Sequence, residues 1–209
     1  MKKTTFNSGG YLPIKHGLDK LFGIIFLIVL SPLMGLILIG VYINLGSPSI
    51  FKQTRTGYSG KRFTIYKFRT MSHDIDDRDT FLEEHERLTW FGQFLRASSL
   101  DELPQLFNIL KGDMSFIGPR PLAQMDLKNL TDYQKRRHEV RPGLSGLAQV
   151  NGRNRLCWGT KFDLDITYIG QMSFILDLRI LMMTFIKLFL FHEVNPRSSA
   201  LDPLKERNI

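Results

Sequence analysis

Cysteine is almost absent: the 209-residue chain has one, Cys157. A single thiol excludes an internal disulfide and a thiolate-built metal cluster, and it fits a reducing, cytoplasm-facing compartment. Acidic residues are few beside basic ones, 20 against 28, which leaves a formal charge of +8 and an isoelectric point near 9.7. Such a surface favours anionic partners: phospholipid headgroups, nucleotides or nucleic acid. Long apolar runs are scarce as well. There is one, and a mean hydropathy of -0.10 is too polar for a chain that crosses a membrane many times. Internal repeats and low-complexity tracts are missing. The length accommodates one domain and an anchor, not two large domains.

The one apolar run covers residues 21–45, long enough at about 25 residues to cross a bilayer as a helix. Its flanks argue against crossing. Lys15 and Lys20 precede it and Lys52, Arg55, Lys61 and Arg62 follow, so the positive-inside bias draws both ends to the cytoplasmic side. Ser31-Pro32 interrupts the run near its middle. Proline removes a backbone donor and disfavours the helical conformation of the residue before it, so the helix is expected to bend there. A segment that enters the membrane, bends and leaves by the same face satisfies both constraints. The run is too long for a signal-peptide core and no small-residue cleavage site follows it, so it is expected to be retained.

The expected organisation is a loosely ordered lead over 1–17, a re-entrant membrane helix over 18–46, a catalytic body over 47–194 and a polar tail over 195–209. The fold class is α+β and mostly helical, a compact cytoplasmic domain with a small β-hairpin. The hairpin is read from two β-prone stretches, 50–55 and 63–68, around Gly57-Tyr58-Ser59-Gly60. Apolar spacing predicts a helix through Leu100, Leu103, Phe107 and Leu110. Further helices are expected over 123–140, 163–170 and 176–191, with a Gly-rich loop over 141–154. The 176–191 helix is apolar enough either to pack as core or to lie in a membrane interface.

Four clusters carry chemistry. In Ser99-Leu100-Asp101-Glu102-Leu103-Pro104, two adjacent carboxylates point about 100° apart on a helix, so one can face a reacting phosphorus while the other holds a metal. Pro104 is tolerated only in an early turn, which places the pair at a helix N-terminus, where carboxylates stay ionised. An ionised Asp is a competent nucleophile once a cation screens the phosphate. Ser99-x-x-Glu102 also reads as a capping box, and the two readings are compatible. Lys67-Phe68-Arg69-Thr70-Met71 and Arg96 supply forks for phosphate, or a solvated strand edge. Gly118-Pro119-Arg120-Pro121 fixes the backbone around one arginine and so aims its guanidinium. Arg141-Pro142-Gly143 through Gly152-Arg153-Asn154 offers backbone amides and arginines to a phosphate.

Together and in this order, with Phe51-x-Gln-x-Arg55, Leu95-Arg96 and Gly112-Asp-Met-Ser115, these motifs resemble the small monotopic phosphoglycosyl transferases of the bacterial sugar transferase family. The likeness runs from about Lys15 to about Phe191. It implies transfer of a sugar-1-phosphate from a UDP-sugar to undecaprenyl phosphate with release of UMP, through a phosphosugar bound covalently to Asp101. Glu102 matches a Mg²⁺-holding carboxylate. Arg96 and Arg120 fall at the family's phosphate-contacting positions, Arg69, Arg141 and Arg153 are expected to bind substrate or phosphate beside them, and Asp177 matches a further acidic position tied to activity. The Ser31-Pro32 break looks like the family's membrane turn. The expected setting is the inner membrane with the catalytic domain facing the cytoplasm, membrane lipid as a partner, no nucleic acid, and a homodimer as an allowed assembly. A nucleic-acid-binding module would leave the apolar run without a purpose, and a catalytically silent scaffold would not need the intact carboxylate pair.

Overall fold

A computed structural model describes residues 10–72, 87–123, 130–152 and 155–190. The first element, α1 (Tyr11–Leu45), is a single 35-residue helix, about 52 Å long against a hydrocarbon core of about 30 Å. It begins inside the stretch expected to be a loose lead. Lys15 and Asp19, which read in the sequence as polar flank, are buried on the body and give the first turns their contacts. Pro32 lies inside α1, and helix is assigned on both sides of it without interruption. The proline leaves the carbonyl of Ile28 without its usual donor, and the Ser31 hydroxyl donates to that same carbonyl at 2.8 Å. Serine and proline therefore act as a pair, one opening the ladder and the other closing it.

The face α1 turns inward recurs at Lys15, Asp19, Gly23, Ile37 and Val41, with Leu27, Leu30 and Met34 half-buried between them. Steps of three and four keep these positions on one side. That side is packed by the body from one end of the helix to the other. Gly23 admits Leu110, whose Cδ2 would be 2.8 Å from a Cβ there, and Gly40 admits the ring of Phe91 at the same distance. The opposite side is bare: Ile28, Val29, Leu36 and Ile43 are 66 to 79% exposed.

The expected hairpin is present. Strand β1 (Ile50–Thr56) pairs antiparallel with β2 (Arg62–Phe68), and a 3₁₀ turn at Tyr58–Gly60 connects them. Helices α2 (Trp90–Ala97) and α3 (Leu106–Lys111) follow, separated by a 3₁₀ segment, Leu100–Gln105. Strands β3 (Ser115–Ile117) and β4 (Leu122–Ala123) flank the Gly118–Pro121 turn. β4 adds to β1 as a third strand. The helix expected over 123–140 is thus β4, then the undescribed residues 124–129, then α4 (Asp132–Lys135) and a 3₁₀ turn, Arg136–Glu139. The supposed Gly-rich loop contains β5 (Gly143–Ser145), parallel to β3, and α5 (Leu147–Asn151). Gly143 permits that pairing, since a Cβ would lie 2.1 Å from the Gly118 amide nitrogen.

Two helices close the body, α6 (Trp158–Gln171) and α7 (Phe174–Leu190), the first longer than the sequence pattern predicted. Ile117, Val140, Val150, Tyr168, Ile169 and Ile180 form the main core, which the inner face of α7 completes. Its outer face leaves Phe174, Ile175, Leu178, Met182, Phe185 and Ile186 between 46 and 78% exposed, an unbroken apolar stripe. α7 is therefore core on one side and an uncovered apolar surface on the other.

Candidate active site

The adjacent carboxylates follow a backbone turn at Ser99. Ser99 adopts a left-handed conformation, φ 58° and ψ 16°, and its side chain makes no cap bond. The capping box is therefore overturned: a cap residue needs extended φ/ψ to aim its oxygen at the first turn. The Ser99 carbonyl instead accepts from the Glu102 amide at 3.2 Å and starts the 3₁₀ segment. With three residues per turn, side chains at i and i+3 line up. Glu102 and Gln105 share one side, and both line an open cleft with Ile65, Lys67, Arg55, Arg120 and Leu144. Asp101 lies beside Glu102 and is buried, its side chain 9% exposed. Pro104 is the fifth of the six residues of this segment, so its missing N–H falls late in it and not in the early turn that the sequence suggested.

Lys67 bridges the pair. Its Nζ lies 2.6 Å from Glu102 Oε1 and 3.5 Å from Asp101 Oδ2. Strand alternation explains its aim, because Ile65 and Lys67 are two apart on β2 and project to the same side. Arg120 Nη2 also approaches Glu102 Oε1, at 3.5 Å, while more than half of the Arg120 side chain remains exposed. The two prolines around Arg120 are only part of what holds it. Arg137 donates to the Arg120 carbonyl at 2.7 Å and pairs with Asp165 at 2.7 Å in a nearly closed pocket. Arg137 thus supports the site, and its sequence signal, one arginine in a basic run of four, gave no reason to separate it from its neighbours.

Burial pushes the Asp101 carboxyl above its ordinary value. Lys67 pulls it back, Glu102 pushes further in the same direction as burial, and Arg96 pulls back as well. Burial therefore works against the helix terminus expected to keep this carboxylate ionised, and Lys67 and Arg96 work with it.

The other expected site residues separate. Arg96 stands within electrostatic reach of Asp101 and is held by Thr70 Oγ1, to which its Nε donates at 3.0 Å. Arg69 has another use. It is buried, its Nε donates to the Met71 carbonyl at 2.9 Å, and its Nη1 faces the carbonyls of Leu45 and Ser47 at 3.4 Å. It fastens the end of α1 to the end of β2. Arg141 lies beside Gly112 rather than on the cleft wall, and its Nη1 is buried without a hydrogen-bond partner. Arg153 lies outside the described residues. Asp177 is likewise taken up inside the fold. It is buried on α7 and accepts from Tyr11 Oη and Tyr168 Oη at 2.7 Å each and from Lys15 Nζ. Three donors hold its oxygens and bind the start of α1 to α6 and α7.

Among the described residues no three His, Cys, Asp or Glu side chains converge as a metal cage. The donor set nevertheless suits Mg²⁺, which binds through one or two carboxylates and completes its shell with water and substrate phosphate. Glu102 Oε1, already facing an ammonium and a guanidinium, is the oxygen that attracts cations here.

An adjacent carboxylate pair bridged by a lysine, with Glu102 and Arg120 on an open cleft, thus sits in a body packed along a helix whose outer side is bare and apolar. The chain belongs to the bacterial sugar transferase family, whose model matches residues 10–191. It is 48% identical over 171 residues to an uncharacterised sugar transferase, EpsL, of Bacillus subtilis, covering 80% of this chain and 85% of that one. It is 40% identical to a UDP-glucose:undecaprenyl-phosphate glucose-1-phosphate transferase of Xanthomonas campestris, over 81% of this chain and 37% of the relative. It is 36% identical to an undecaprenyl-phosphate galactose phosphotransferase of Salmonella typhimurium, over 82% and 39%. The chain therefore spans well under half the length of these two relatives.

Proposed function

We propose that the protein transfers a sugar-1-phosphate from a UDP-sugar to undecaprenyl phosphate at the cytoplasmic face of the inner membrane. The observation that carries this reading is the Asp101–Glu102 pair, held at the first turn of a 3₁₀ segment and bridged by Lys67, with Glu102, Lys67 and Arg120 on the wall of one cleft and Asp101 buried beside it. An Asp101 oxygen attacks the sugar-bearing phosphorus, the bond from that phosphorus to the bridging oxygen breaks, and UMP leaves with that oxygen. An oxygen of the polyprenol phosphate then attacks the same phosphorus, and the Asp101 carboxylate is released. Like charges oppose the first attack: two unit charges 4 Å apart repel by about 4 kcal/mol at an effective dielectric of 20. Lys67, Arg120 and Arg96 offset part of this. Mg²⁺ held by Glu102 would supply further charge neutralisation when bound.

The named relatives support a UDP-hexose as donor, glucose or galactose. The test is UMP release from a panel of UDP-sugars with undecaprenyl phosphate and Mg²⁺. Turnover is expected with one hexose donor, and release from none of them overturns the proposal. Because burial raises the Asp101 pKa, the acid limb of kcat/KM is expected above the ordinary aspartate value of about 3.9. A pH profile flat down to that value removes Asp101 as the ionising group.

We also propose that α1 enters and leaves by one leaflet. The support is geometric: the body packs against α1 from Lys15 to Leu45, so no membrane-length stretch is free of it. The apolar stripe of α7 offers a second lipid contact. Single cysteines placed at residue 5 and residue 60, in a Cys157→Ser background, are expected to resist labelling by an impermeant maleimide outside intact cells. Labelling of either position alone means that the helix crosses.

A further inference from the structure

Lys67 occupies the position that the proposed reaction assigns to a metal. Its ammonium is 2.6 Å from Glu102 Oε1 and 3.5 Å from Asp101 Oδ2, and its stem lies on the cleft wall. A divalent ion bound by Glu102 would sit about 2.0–2.1 Å from that carboxylate. Lys67 and Arg120 both face Oε1, and an ion entering at either Glu102 oxygen would lie close enough to the ammonium to repel it. That repulsion favours withdrawal of the ammonium, and its route is set by its surroundings. Its backbone is fixed by pairing with Phe51 on β1, while its four-carbon stem can swing. The space within reach is the cleft, which already presents Arg55 and Arg120. Moving a third cation there is unfavourable while the cleft holds only water, and favourable once it holds a diphosphate.

We infer that Lys67 is an internal substitute for the divalent cation: it pins Asp101 and Glu102 in the empty enzyme, cedes Glu102 to the metal when the donor binds, and carries its charge to the donor's diphosphate. The inference rests on the phosphosugar-transfer reading for the identity of that ligand. Two consequences follow. Metal and nucleotide bind cooperatively, each raising the other's affinity by the same factor. Retraction of the ammonium also frees Asp101 Oδ2, so the nucleophile is released only when both ligands are present. Lys67 is in this sense a positioning residue acting through the carboxylate pair.

The test is a Mn²⁺ titration followed by electron paramagnetic resonance, on the full chain in nanodiscs, with and without UDP. Wild type is compared with Lys67→Met and Lys67→Gln, and Glu102→Gln gives the background. Without UDP, both lysine variants are expected to bind Mn²⁺ about tenfold or more tightly than wild type, since removal of a competing charge of this size is worth at least that factor. A merely structural lysine would give weaker binding or none when removed. With UDP, wild type is expected to gain more Mn²⁺ affinity than either variant. Equal or weaker Mn²⁺ binding by the variants overturns the inference. So does the absence of any UDP effect in wild type, a readout that does not depend on how the variants fold. UMP release measured in parallel separates the two claims: tighter Mn²⁺ binding in the variants with no UMP from any donor sinks the transferase reading and leaves the lysine's competition standing.

Discussion

Asp101→Asn is expected to lower transfer by about 10⁴-fold or more, the scale seen when a covalent nucleophile is removed, while the protein folds and sediments with membranes as before. The substitution keeps the shape of the side chain and removes its charge. Because burial holds the Asp101 carboxyl above its ordinary value, the ionised form is costly in the folded state. The neutral amide relieves that cost, so the melting temperature is expected to hold or rise slightly. Loss of activity without loss of stability is the signature of a group kept for chemistry. Two measurements decide it. Intact-mass analysis of wild type with donor and no acceptor is expected to show a phosphosugar adduct that the variant lacks. A variant with near wild-type turnover would remove Asp101 from the nucleophile's place.

Asp177→Ala is expected to do the opposite, damaging the fold and leaving donor recognition intact. The carboxylate receives Tyr11, Lys15 and Tyr168, and both members of the Lys15–Asp177 pair are nearly closed to solvent. Removing one partner of such a pair leaves an uncompensated buried charge, at a cost of about 3–5 kcal/mol. The melting temperature should drop sharply, and protease should gain access near the start of α1. Lys15→Met combined with Asp177→Leu should recover much of the loss, since an apolar pair often replaces a buried ion pair at little cost. Donor KM in whatever fraction stays folded should be unchanged. A stable Asp177→Ala protein with a raised donor KM would return this carboxylate to the substrate site.

These two aspartates mark where the sequence is readable and where it stops. Asp101 and Glu102 are legible as a pair at the start of a helical segment because they are adjacent in the chain, although the segment is 3₁₀ and Pro104 lies late in it. The hairpin is legible for the same reason, two β-prone stretches around a short turn. Asp177 and Arg69 are not, because each long-range partner, Tyr11 and Lys15 for one and the carbonyls of Leu45 and Ser47 for the other, is chosen by tertiary packing. Lys15 and Asp19 look like a solvated flank until the body that buries them is known. The left-handed Ser99 hides behind a pattern that matches a capping box residue for residue. The β3–β5 pairing joins three-residue strands more than 20 positions apart, too short and too distant for periodicity to register.

The inward stripe of α1 bears on how the molecule can be handled. Ile37 and Val41 close over Phe68 and Leu95, and Leu27 and Leu30 lie against Ile65 and Ile109. The helix with the bare apolar side is also a wall of the folded body. Cutting it away to obtain a water-soluble fragment would strip the lining from two of the clusters and leave a precipitating remnant, so the catalyst and its mooring can be purified only as one piece.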